Sequence, residues 1–258
     1  MTSPPEPRAG VPAAGGPKAA VTDVDSLPEE SRARHGNALR AGVLGSTDGL
    51  VSNLSLVAGV AGAGASHQAI VVAGLAGLVA GSLSMALGEY LSVQSARELL
   101  ANELSIEAGQ LAAWPDAEVV ELRAIYERKG IPAKMAAELA EHMVRTDPQL
   151  ALDTMAREEL GFDPDELGGS PWVAAVTSLA LFALGAFVPL LPFLLINGQP
   201  ALIAAAALSG VAIFALGAGI TRLTGVHPVR SGLRQLAFGA TAAAITYGIG
   251  VVIGSSLR

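Results

Sequence analysis

The chain reads as an all-α membrane protein in which a polar helical domain is inserted between the second and third of five transmembrane helices. Three observations lead there. Of 258 residues, 51% are hydrophobic and only 15% charged, with a mean hydropathy of +0.49, too apolar for an ordinary soluble domain. Five apolar stretches approach or exceed the roughly 20 residues needed to span hydrocarbon. The charge is confined: residues 171–221 and 235–257 carry none, while residues 96–170 hold 16 of the 23 acids against 7 basic residues. The net charge of −7 thus comes from one block, which argues against a nucleic-acid partner and for attraction of cations. The absence of cysteine excludes disulfides, cysteine-zinc sites and thiol redox chemistry. No P-loop lysine pattern marks a nucleotide site.

Residues 1–34 contain six prolines among Ala, Gly and mixed charge. They lack the apolar core of a signal peptide and read as a disordered N-terminal tail. Residues 35–95 hold the first two spans, near 39–62 and 68–94. Residues 96–170 form the polar domain, and residues 171–258 hold the last three spans, near 172–196, 201–221 and 233–255. The short links GAGAS and NGQP are uncharged, whereas 15 of the 16 Lys and Arg residues fall on the other side, all but Arg258. The link bearing Arg222, Arg230 and Arg234 gives the same orientation: N-terminus and acidic block cytoplasmic, C-terminus opposite. The Ala- and Gly-rich composition points to a bacterial plasma membrane. Gly77 with Gly81, and Gly250 with Gly254, have the GxxxG spacing that permits close helix contact, within one chain or between two.

Proline and glycine punctuate the polar block. One helix begins at Pro115 and stops at Gly130, and a second follows Pro132 to about Arg145. A third has Asp147 as N-cap, Pro148 in its first position and Gly161 past its end. Neither Gly nor Pro falls between Glu89 and Gly109, so the second span is expected to run unbroken into this block.

Asp48 and Glu89 are the only charged residues between Arg40 and Arg97, and each lies inside an apolar span. A carboxylate at membrane depth costs several kcal/mol by most estimates and usually faces a protein-lined path for protons or cations. Met85, one turn before Glu89, offers a soft sulfur on the same face. Oxygen beside thioether suggests a transition-metal path. If the second helix is continuous, Met85, Glu89, Glu103, Glu107 and Gln110 share one arc, with Glu89 and Glu107 about 27 Å apart. In the helix after Pro115, Glu118 projects among Val119, Leu122, Ile125 and Tyr126, with Glu121 at the edge. In the helix after Pro148, Glu159 lies amid Leu152, Met155, Ala156 and Leu160, with Glu158 toward the edge. Carboxylates on a face that should be buried need a partner, either a metal or a basic residue of the block. Glu138, Glu141 and His142 instead share an arc with Lys134 and Arg145, which reads as a solvated face. Carboxylates with methionine and without cysteine suit Fe²⁺ or Mn²⁺ better than zinc or copper.

The segments STDGLVSNLSLVAGVAGA, AGLVAGSLSMALGEYLSVQS, ELRAIYERKG, REELGFDPDEL, GAFVPLLPFLL and RSGLRQLAFGATAAAITYGIG closely resemble the vacuolar iron transporter family, the CCC-type iron and manganese transporters. Together they cover nearly everything from about residue 36 onward. The resemblance implies a homodimer of five-span protomers with the translocation path at the dimer interface. It implies export of Fe²⁺, often also Mn²⁺ or Co²⁺, from the cytosol in exchange for protons, with no prosthetic group. Asp48 matches the family's pathway aspartate, and Met85 and Glu89 sit in its second-span motif. The glutamates of the family's cytosolic metal-binding domain map to Glu103 or Glu107, to Glu118 and Glu121, and to Met155 and Glu159, with Glu158 ranked lower. The chain departs from the pattern at Gln110, where a second glutamate is expected; a neutral amide ligates metal less strongly, so one ion is weakened or Glu103 substitutes. Two rival functions are a membrane-anchored carboxylate ferroxidase and a metal-sensing membrane protein. The first is disfavoured because the block lacks paired Glu-x-x-His motifs on an inward face.

Overall fold

The computed structural model describes residues 29–164, 169–221 and 225–256, with backbone alone for residues 29–41. Of the tail expected over residues 1–34, the part up to residue 28 lies outside the described residues, and residues 29–34 are helical. Among the described residues the regular elements are helices: α1 (Glu29–Gly62), α2 (His67–Ala113), α3 (Pro115–Arg128), α4 (Ala133–Thr146), α5 (Pro148–Met155), α6 (Pro171–Leu195), α7 (Gln199–Gly219) and α8 (Pro228–Ser256). A π turn, Ala156–Leu160, extends α5.

Five segments are long and apolar enough to cross a membrane: Gly42–Gly62 of α1, then α2, α6, α7 and α8. They coincide with the five stretches expected from the sequence. Their outward faces carry large apolar side chains, among them Val176, Ile203 and Val252, each more than 60% exposed. Surface of that kind and extent belongs in lipid or against another protein, not in water. The chain is an integral membrane protein.

Helix α2 holds 47 residues, about 70 Å of rod and more than twice the thickness of bilayer hydrocarbon. Its first half, to about residue 94, has Glu89 as its one charge; its second half carries Arg97, Glu98, Glu103 and Glu107. The apolar half has the composition of a span, and the charged half does not. Ser66 caps the start by accepting from Ala69 N at 3.2 Å. The rod ends at Trp114 because Pro115 disfavours helical backbone in the residue before it.

Within the membrane half, α2 lies along α6, α6 beside α7, and α7 along α8. Helix α1 meets α6 backbone to backbone. A Cβ on Gly49 would stand 2.2 Å from the Phe182 carbonyl oxygen, and one on Gly185 2.0 Å from that of Ser46. Only glycine on both sides permits this crossing. The GxxxG positions are also filled from within the chain: Gly81 faces the Phe182 ring, Gly77 the Leu56 side chain, Gly250 the Gly59 carbonyl and Gly254 that of Ala63.

The polar block has its own apolar core. Leu122 and Tyr126 of α3, Ala136, Ala140 and Val144 of α4 and Met155 of α5 pack together, with Leu111 of α2 against them. Asp147 caps α5 by accepting from Gln149 N and Leu150 N, as its position before Pro148 predicts. Gly161 closes the π turn in left-handed backbone, φ 76°, and both it and Phe162 donate to the Ala156 carbonyl.

Candidate metal centre and membrane cavity

Three elements converge on the acidic centre. Helix α2 supplies Glu107, α3 supplies Glu118, and the π turn supplies Glu159; one carboxylate oxygen of each lies within 4.8 Å of the other two. Glu107 and Glu118 are 3% and 4% exposed, while Glu159 is open to solvent. One oxygen of Glu107, Oε1, is buried with no hydrogen-bond partner.

The electrostatics follow from that crowding. Burial pushes the Glu107 carboxyl from an ordinary 4.5 up to about 7, helped by the charges of Glu159, Glu118 and Glu121. Glu118 is raised by burial and then by Glu121, and Glu159 by desolvation and then by Glu121 and Glu118. Glu121 is exposed, and its charge bears on all three.

A basic partner from the block is not what relieves them. Among the described residues, the ion pairs there join Arg123 to Glu127, Lys129 to Glu158, Lys134 to Glu138, Arg145 to Asp116 and Glu141, and Arg157 to Asp163. None reaches Glu107, Glu118 or Glu159. Three carboxylates held this close favour a shared proton or a cation. Oxygens around one octahedral ion with bonds of about 2.1 Å stand roughly 3 to 4 Å apart, so a small side-chain adjustment would complete a tripod.

The remaining candidates divide. Glu158 is engaged with Lys129. Met155 is fully buried among Leu122, Tyr126 and Ala140, in the apolar core. Glu103 and Gln110 are half-buried on α2, outside the carboxylate trio. Glu138, Glu141 and His142 are exposed, as a solvated face should be.

In the membrane half, Asp48 and Met85 line one cavity of about 350 Å³, together with Ser52, Asn53, Gly77, Gly81, Ser84 and Phe182. Ser52 donates to Asp48 Oδ1 at 3.1 Å from one turn along α1. Met85 reaches α1 opposite Gly45, where a Cβ would stand 3.4 Å from its methyl group. Asp48 is exposed, and among the described residues no Lys or Arg pairs with it or with Glu89. Glu89 is half-buried one turn beyond Met85 and does not line the cavity. Sequence reasoning missed Ser52, Asn53 and Ser84; polar residues one turn from Asp48 or beside Met85, inside apolar spans, are the signal that could have found them.

Residues 39–251 match the family described as the VIT family. The chain is 33% identical over 222 residues to "Vacuolar iron transporter 1" of Arabidopsis thaliana, covering 84% of this chain and 87% of that protein. It is 33% identical over 216 residues to the protein of the same name in Oryza sativa subsp. japonica, covering 83% and 84%. It is 35% identical over 215 residues to "Vacuolar iron transporter" of Acanthamoeba castellanii, covering 82% and 77%. With the match extending from the first span to the last and taking in the acidic block between them, the chain belongs to the VIT family.

Proposed function

We propose that this protein exports Fe²⁺, and also Mn²⁺, from the cytosol by proton-coupled antiport, as a homodimer whose translocation path runs between the protomers. The observation that carries this reading is the meeting of Glu118 and Glu159 with Glu107 of α2, the same helix that carries Met85 in its apolar half, opposite Asp48. The names of the relatives favour the same class of cargo.

The chemistry proceeds from outside the membrane inward. Hydrated Fe²⁺ meets Glu159 and Glu121 at the open edge of the block, then Glu107 and Glu118, which displace part of its water. Binding expels the proton that Glu107 holds near neutral pH, because metal and proton compete for the same oxygens. The ion then passes to Glu89, Met85 and Asp48, where the outward-facing position of Asp48 suits a path shared with a second protomer. Protonation of these carboxylates from the far side releases the metal, coupling export to inward proton flux. The orientation rests on the Lys and Arg distribution, which puts the acidic block in the cytoplasm; the bacterial plasma membrane is the proposed location.

Reconstitution of the full-length protein into sealed vesicles tests this. Fe²⁺ and Mn²⁺ should enter the lumen only in the presence of the protein, and lumen pH should rise at the same time as protons leave in exchange. Oxygen consumption on adding Fe²⁺, with no flux, would establish a ferroxidase instead. Tight binding with neither flux nor oxidation would establish a sensor.

A further inference from the structure

Asn53 of α1 is a buried amide with one end satisfied. It is 2% exposed. Its Nδ2 donates to the Ala186 carbonyl of α6 at 2.6 Å, while Oδ1 has no hydrogen-bond partner. The bond to Ala186 fixes which end is oxygen, since a carbonyl can only accept. Oδ1 is thereby turned toward Gly77 of α2, where a Cβ would stand 2.9 Å from it. Asn53 and Gly77 both line the cavity that holds Asp48 and Met85. Any side chain at position 77 would crowd this oxygen.

We propose that Asn53 Oδ1 is a neutral oxygen ligand to the cation as it passes Asp48 and Met85, and that it sets the preference for hard over soft divalent ions. The assignment rests on the transport reading above and names the selectivity element of the same site. Besides Asn53, the cavity offers one carboxylate, the hydroxyls of Ser52 and Ser84 and the thioether of Met85. A thioether alone favours soft ions; carboxylate, carbonyl and hydroxyl oxygen favour Mn²⁺ and its like. An acceptor without an internal partner can take a metal without first breaking a bond. Because it is uncharged, it adds a contact without adding a second carboxylate that would hold the ion too long for conduction.

The test is initial uptake of Mn²⁺ and of Cd²⁺ into vesicles holding the full-length protein, for wild type, Asn53→Leu and Asn53→Asp. Asn53→Leu should raise KM for Mn²⁺ about tenfold, equivalent to about 1.4 kcal/mol, while KM for Cd²⁺ moves much less. Asn53→Asp keeps the oxygen and loses the donor to Ala186, so KM for Mn²⁺ should stay at or below the wild-type value. If Asn53 is only a strut between α1 and α6, both variants shift the two ions by the same factor, or neither ion moves, and the assignment is overturned. Should Asn53→Leu fail to fold, Asn53→Ala takes its place, judged by the same ratio. A wild-type protein that carries neither ion would overturn the transport reading itself, and this assignment with it.

Discussion

At Glu107, burial and three neighbouring carboxylates act in one direction, and the consequence is a pH dependence of definite sign. Its carboxyl rises from about 4.5 toward 7 in the folded protein. Through that interval the folded state holds a proton that the unfolded chain has released. The contribution to stability is complete below about pH 4.5 and is lost as pH rises through 7. The metal-free protein should therefore melt at lower temperature at pH 8 than at pH 5, and Glu107→Gln should flatten this slope. Metal affinity should move the other way, weakening up to about tenfold per pH unit below 7 as one proton competes. Glu107→Gln should remove most of that dependence together with most of the affinity, which isothermal titration at two pH values would measure. Met155 separates packing from ligation. Met155→Ala should cost about 2–5 kcal/mol of stability, because it empties a fully buried position. Met155→Leu, which preserves volume and removes sulfur, should leave metal affinity unchanged; a loss there would identify the thioether as a ligand.

Among the elements, the crossing of α1 and α6 fixes where Asp48 stands. Gly49→Ala would drive a methyl group into the Phe182 carbonyl, so the helices must part and the Asp48 cavity must change shape. The expected cost is about 1–3 kcal/mol or more, read as a lower melting temperature in detergent. Gly88→Ala is the control, since nothing lies within 4 Å of the added carbon, and it should be neutral or slightly stabilising. The spans and the helices of the polar block were legible in the sequence because composition and Pro–Gly punctuation write them locally. Asp147, Pro148 and Gly161 mark the ends of one element with residues whose backbone preferences leave little choice. The π turn before Gly161 was not legible, since an i→i+5 bond has no residue signature of its own. It places Glu159 at the carboxylate centre while Met155, four residues earlier, stays in the apolar core. The membrane cavity was half legible: Asp48 and Met85 stood out as ionisable or soft groups in apolar spans. Phe182 and the orientation of Asn53 depend on α6, more than a hundred residues away in the chain, and only tertiary packing supplies them.

At the scale of the whole molecule, α2 joins two chemistries that differ in their surroundings. Its polar half presents carboxylates to water and to one another, where charge repulsion and partial burial favour capture of a cation. Its apolar half brings Met85 to Asp48 at membrane depth, where a charged group needs a partner or a wet path. Five apolar segments, an acidic block with its own core and the small-residue crossings together hold these two regions on one rod. The division of labour is open to one direct measurement on a single preparation of full-length protein: equilibrium Fe²⁺ binding and vesicle Fe²⁺ flux, both for wild type and for Asp48→Asn. The expected result is binding within about twofold of wild type, since the capturing carboxylates are untouched, with flux reduced to background. Equal loss of binding and flux, or flux undiminished, would contradict the assignment of capture to the acidic block and passage to Asp48.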